Sequence, residues 1–224
     1  MINDMLAQQK RLNDETNGLN WELGLTKFDK EINWARCIYM ETAELIDSTP
    51  WKHWKNIDHN SDLENIKLEL VDIWHFILSL LLQEKSIKQI IKIVDDYTVY
   101  IIDKKFQWKE AVEKSEKLMM LALKISQNNK TNTKELKKLI NMFFKLCSIC
   151  ELNFVMLYKL YLSKNCLNKF RQDHGYKDGT YIKTWNGQED NEHMMKLLLE
   201  KDNISFDQLY EQLEILYKNC TIGQ

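Results

Sequence analysis

Helix breakers are almost absent from this chain. Its 224 residues hold a single proline, Pro50, and only six glycines. Proline clashes with the preceding turn and glycine leaves the backbone too free, so both punctuate helices. A chain this poor in them is expected to build long helices rather than strands and tight turns. Three of the glycines, Gly175, Gly179 and Gly187, crowd into one stretch, which marks the least helical part. Apolar residues at helical period predict helices at about 2–16, 28–47, 61–84, 86–105, 108–127, 133–150, 153–173, 189–200 and 205–219. The second stops before Pro50, because residues preceding proline are biased out of the α region. Ser61 with Glu64, and Ser205 with Gln208, have capping-box spacing, while Thr133 and Asn153 suit N-caps. A polar loop is expected at 128–133, and no segment alternates like a strand. The expected fold class is an all-α multi-helix bundle in one domain, 1–224. Within it, 86–150 reads as core-building or as a mobile, lid-like helical subdomain.

Charge and cysteine usage narrow the function classes. A net charge of −2 gives no global basic field, so nucleic acid is not an expected partner and any anion site must be local. The first twelve residues lack a continuous apolar core and carry Asp4, Lys10 and Arg11, unlike an export signal. The longest apolar run, around 76–82, falls far short of the ~20 residues that span a bilayer, so no membrane partner is expected. Five irregularly spaced cysteines suit reduced thiols in a cytoplasm. Cys147 and Cys150 form a lone CxxC inside an apolar helical pattern. Without a second pair, a buried helix face is preferred to a metal or redox site.

Chemistry concentrates in two carboxylate pairs. Glu41 and Glu44 lie on the second expected helix, Glu69 and Asp72 on the third. Acids three residues apart share a helix face about one turn apart. Both pairs sit in apolar surroundings, with Ile38, Tyr39, Leu45 and Ile46 around one, and Leu68, Leu70, Val71, Ile73 and Phe76 around the other. Burying even one unpaired carboxylate costs several kcal/mol, roughly, so clustered acids call for a neutralising cation. Hard divalent cations with oxygen ligands serve, and magnesium combines a few carboxylates with substrate phosphates. Two such ions could assist in-line attack of water on phosphorus. The bland alternative is that these acids are solvated. Asp72 with His75, and Asp190 with His193, also echo half of a di-iron carboxylate bundle. Such bundles use Glu-x-x-His pairs, and this chain has none.

A basic face follows later in the chain. Lys164, Asn168 and Arg171 recur at i, i+4 and i+7, on one side of a helix. The glycine-bearing loop beyond adds Tyr176, Lys177, Tyr181 and Lys183. Arginine offers forked bonds to phosphate, lysine a point charge, and asparagine and tyrosine neutral donors. From these residues alone, a triphosphate clamp and a helix end with cations at its negative dipole terminus both stay open. It is not a P-loop, which needs GxxxxGK[ST].

Taken together these segments resemble the dimeric, all-α dUTP diphosphatase (dUTPase) family, within the all-α NTP pyrophosphatase superfamily. The carriers are Gln8-Gln-Lys-Arg-Leu-Asn-Asp14, the Glu41/Glu44 pair, Trp51-Lys-His-Trp-Lys55, Glu69-Leu-Val-Asp72-Ile-Trp-His-Phe76, and the stretch from Lys164 to Trp185. The ExxE and ExxD pairs mark the superfamily. The HF dipeptide and the K-N-x-L-N-x-F-R…GYK-x-G stretch point to the dUTPase branch. The resemblance implies hydrolysis of dUTP, and dUDP, to dUMP by a homodimer. It implies Mg²⁺ on Glu41, Glu44, Glu69 and Asp72, with Glu44 the candidate to orient the water. It further places Lys164, Asn168, Arg171, Tyr176 and Lys183 on phosphates and sugar. Gln9, Asn13, Trp54, His75 and Phe76 would surround the uracil and deoxyribose. Amide side chains suit uracil, which offers two carbonyl acceptors around one N–H donor. Phe76 could exclude the thymine methyl, a distinction typically of ~1–3 kcal/mol. Trp51 and Trp74 are expected in the core, while Trp54 suits core and site equally.

Overall fold

The computed structural model describes residues 1–55, 60–98, 105–128, 131–201 and 204–221. It divides the chain into two compact units, Met1–Tyr158 and Lys159–Gln224.

In the first unit, α1 (Ile2–Asn17), α2 (Trp34–Asp47), α3 (Leu63–Glu84), α4 (Ile87–Val94), α5 (Trp108–Ser126) and α6 (Thr133–Ile149) pack around α3 and α2. Helix α3 is the axis of the core. Its residues Ile66, Leu70, Val71, Ile73, Trp74, Ile77 and Leu78 are fully buried. Trp74 stacks on Phe143 of α6 at 5.0 Å, and its indole N–H points at Met5 Sδ, 3.4 Å away. Helix α5 turns Ala111, Ser115, Leu118 and Ala122 inward and lies against α2. Helices α5 and α6 are thus built into the packing of the first unit. Cys147 on α6 and Cys150 at its C-cap are buried, and burial pushes the Cys150 thiol up to about 12.

Several helix boundaries differ from the sequence expectation. The second helix begins at Trp34, not near Phe28. Asp29 has φ 57°, and Thr26 Oγ1 accepts the N–H groups of Phe28 and Lys30, so the chain turns there and pairs Leu25 with Glu31. Asn33 then caps α2 through its side chain, which accepts the Arg36 N–H. The cap of α3 is Asp62, not Ser61, and that of α6 is Asn132, not Thr133; each bonds the N–H three residues on. The helix expected over 86–105 runs only to Val94, followed by a 3-10 turn at Asp95–Tyr97, and residues 99–104 lie outside the described set. Trp51, expected in the core, is exposed and donates to Asp47 Oδ1 at 3.1 Å.

The boundary between the units falls inside α7 (Phe154–Asp173). The second unit continues through β1 (Thr184–Trp185), β2 (Gln188–Glu189), α8 (Asp190–Glu200) and α9 (Phe206–Thr221). The two strands form a two-residue antiparallel hairpin that strand alternation is too short to announce. Phe170 is the hub of its core, with Tyr210, Tyr217 and Trp185 at ring distances of 5.3, 5.5 and 5.8 Å. Gly175 has φ +86°, and an added Cβ would collide with Thr180 Oγ1, so the loop needs glycine there on both counts. No single described helix is long and apolar enough to cross a membrane.

Candidate active site

Helices α2 and α3 run antiparallel, Glu41 facing Glu69 and Asp72 while Ser48 faces Asn65. Ligand oxygens of Glu41, Glu69 and Asp72 all lie within 4.8 Å of one another, and all three residues are half-buried. Among the described residues this is the group of three or more His, Cys, Asp or Glu that could hold a metal ion. Glu44 stands apart from it, one turn along α2 and exposed. Three carboxylates and no sulfur or imidazole form a hard donor set, which fits magnesium rather than a soft transition metal. The charge of Glu41 reaches Cys37, one turn before it on α2. Burial, and behind it the Glu41 charge, raises its thiol pKa.

Farther along α3 lies a second polar group, buried between α1 and α3. Gln9 Nε2 and Asn13 Nδ2 each donate to Ser79 Oγ at 3.0 Å, and the Ser79 hydroxyl donates to the His75 carbonyl at 2.9 Å. His75 Nδ1 lies 2.7 Å from Gln9 Oε1, which requires the proton on Nδ1 because an amide oxygen only accepts. Gln9, Asn13, His75 and Ser79 are all at most 4% exposed. Sequence reasoning selected three of these four and missed Ser79. The available signal was spacing: Ser79 follows His75 by four residues and Asp72 by seven, on one face of α3. Phe76 is half-buried and stacks on Trp34 at 6.1 Å, and Trp34 meets Trp21 edge-on at 5.8 Å. Trp54 lies in the loop after α2, 61% exposed, edge-on to Trp51 at 5.4 Å.

One stripe of α3 therefore carries Asn65, Glu69, Asp72, Phe76 and Ser79, at i, i+4, i+7, i+11 and i+14. Seven residues of α-helix rise about 10 Å. The acids and the amide-rich group are offset along the helix by a length comparable to that between the base and the phosphates of a nucleotide.

In the second unit, the Arg171 guanidinium grips Asp190 with two bonds, Nε to Oδ2 at 2.8 Å and Nη2 to Oδ1 at 2.7 Å. Tyr181 donates to the same carboxylate at 2.8 Å. Burial alone would raise the Asp190 carboxyl; the bonds and charge of Arg171, with Tyr181 and Lys164, outweigh it and hold the pKa below its ordinary value. Burial, reinforced by the Asp190 charge, drives the Tyr181 phenol up. Lys164, 3% exposed, donates to Asn191 Oδ1 at 2.9 Å. Asn168 Oδ1 lies 3.4 Å from Arg171 Nη1, and Tyr176, half exposed, covers the guanidinium at 6.0 Å. Lys183 is exposed and pairs with Glu189 at 3.2 Å. The structure thus brings Lys164, Asn168, Arg171 and Tyr176 together around Asp190 and Asn191, two residues the basic pattern alone did not reveal. His193 bonds the Trp185 carbonyl at 3.0 Å and stacks on its ring, so the second iron-type pair is engaged in packing.

A protein-family model described as dUTPase matches residues 1–176. That span contains both acid pairs, the polar group of α1 and α3, and the basic face as far as Tyr176; Lys183 lies beyond it. No curated protein matches the chain.

Proposed function

The chain belongs to the dUTPase family, and on that premise we propose that it hydrolyses dUTP, and dUDP with it, to dUMP in a magnesium-dependent reaction. The family makes it a hydrolase of the dUTP diphosphatase kind. The observation that carries the metal reading is the meeting of three carboxylates from two helices within 4.8 Å. Glu41, Glu69 and Asp72 would hold the ion, with Glu44 the fourth acid that the resemblance adds. Magnesium, when bound, supplies charge neutralisation to the phosphate oxygens and to the oxygen that leaves.

The remaining work falls to side chains. Water attacks phosphorus, the bond to the oxygen bridging the α- and β-phosphorus breaks, and pyrophosphate leaves dUTP while dUMP remains. With dUDP the leaving group is phosphate. Glu44, exposed and outside the close group of acids, is suited to orient that water and accept its proton at a carboxylate oxygen. Gln9, Asn13 and His75 are proposed for the uracil and Phe76 for its face, with Trp54 reaching from the following loop. Supporting this is the concentration of amides on one buried face. The family resemblance assigns Lys164, Asn168, Arg171, Tyr176 and Lys183 to phosphates and sugar, and their cations and neutral donors suit that chemistry.

A screen of dUTP, dCTP, dTTP and the purine dNTPs with magnesium, reading pyrophosphate release, tests the assignment. Turnover of dUTP is expected to dominate. Equal turnover of dCTP or dTTP would overturn the base assignment, and hydrolysis undiminished by EDTA would overturn the metal assignment.

A further inference from the structure

We propose that Asn65 is a positioning residue that fixes the Glu69 carboxylate for metal binding; this rests on the carboxylate reading above. Asn65 lies one turn before Glu69 on α3. Its Nδ2 donates to Glu69 Oε1 at 3.2 Å and to Ser48 Oγ at 2.8 Å. An amide nitrogen carries two protons, so one serves each partner. Ser48 is itself anchored at the end of α2. Its hydroxyl donates to the Glu44 carbonyl at 3.2 Å, and its own carbonyl accepts the Asp62 N–H at 3.0 Å. The Asn65 backbone is held as well, its N–H donating to the Asp62 cap at 3.0 Å. The amide is thereby clamped to α2, to the start of α3 and to one metal-binding carboxylate.

The residue type matters. A carboxylate at 65 would add a fourth negative charge beside the cluster and accept where a donor is needed. A lysine or arginine would pair with Glu69 and compete with the cation. The neutral amide directs one oxygen of Glu69 without cancelling its charge. Ser48 extends the same chain of bonds to the backbone of Glu44, so one relay joins the helix segments that carry both acid pairs. Groups that orient metal ligands in this way typically change metal affinity 10- to 100-fold when removed.

The test measures Mn²⁺ binding to the nucleotide-free protein by electron paramagnetic resonance of the free ion, with melting temperatures recorded in parallel. Four proteins are compared: wild type, Asn65→Leu, Glu69→Gln and the double variant. Asn65→Leu is expected to weaken Mn²⁺ binding 10- to 100-fold, and to have no further effect once Glu69→Gln is present. Wild-type affinity in Asn65→Leu overturns the proposal, and so does an equal loss in both backgrounds, since Asn65 would then not act through Glu69. Should the leucine variant fail to fold, Asn65→Ala is read by the same criteria. Wild-type affinity in Glu69→Gln is a different failure, that of the carboxylate site itself.

Discussion

At the scale of single residues, the four acids divide by environment. Glu41, Glu69 and Asp72 are half-buried and mutually close, which suits ligands, whereas Glu44 is exposed, which suits a group that exchanges protons with water. Glu44→Gln should therefore lower kcat by roughly 10²–10⁴, the usual worth of a general base, while Mn²⁺ affinity falls less than in Glu69→Gln. A loss of metal binding as large as that of Glu69→Gln would make Glu44 a full ligand rather than the group that orients the water. Ser79 is a second residue whose weight comes from its partners. Its single oxygen accepts from two amide donors, and its O–H donates to the His75 carbonyl. Ser79→Ala leaves Gln9 and Asn13 with buried donors short of an acceptor, at a cost of about 1–3 kcal/mol. Chemical denaturation should show that loss, and the preference for dUTP over dCTP should narrow as the amides lose their fixed orientation.

At the scale of elements, the junction of α7 and α8 turns on one buried ion pair. Arg171 from α7 holds Asp190 at the first position of α8, where the carboxylate also faces the positive end of the helix dipole. Arg171→Ala would strand a buried charge, a loss of about 3–5 kcal/mol. Thermal denaturation of that variant should show a large destabilisation, so its activity loss alone would not measure a phosphate contact. The pH dependence follows from the same pair. The folded-state pKa of Asp190 lies below its ordinary 3.8, so its contribution is complete above that value. It is lost as pH falls through the lower, folded value. The wild type should lose stability in that acid window, and Arg171→Ala should show a smaller loss there.

At the scale of the whole molecule, helices α1, α2, α3, α5 and α6 share one core, and α3 contributes to both polar groups, Glu69 and Asp72 to the acids and His75 and Ser79 to the amide group. A central helix shared by both groups would keep the proposed metal and base sites at constant separation, which the positioning of a reactive phosphate requires. The homodimer implied by the family resemblance is a proposal about this level. Sedimentation equilibrium is expected to return twice the chain mass of 26.9 kDa. A single species at the chain mass would overturn it.

The sequence by itself determined the all-helical class, through its lack of proline and glycine, and it determined the acid pairs, because i, i+3 spacing is a local property of a helix. It also marked Gln9, Asn13, His75 and Phe76, through family resemblance rather than through any pattern of their own. What it could not determine are the relations made across elements. The turn at Asp29 that delays α2, the exposure of Trp51, and Ser79 as the oxygen shared by two amides all depend on what the neighbouring segments present. The same holds for Asn65 between Ser48 and Glu69, and for Asp190 beneath Arg171. Helix period fixes which residues share a face, but the partner of that face, and hence which acids gather and which meet water, is decided only when the helices pack.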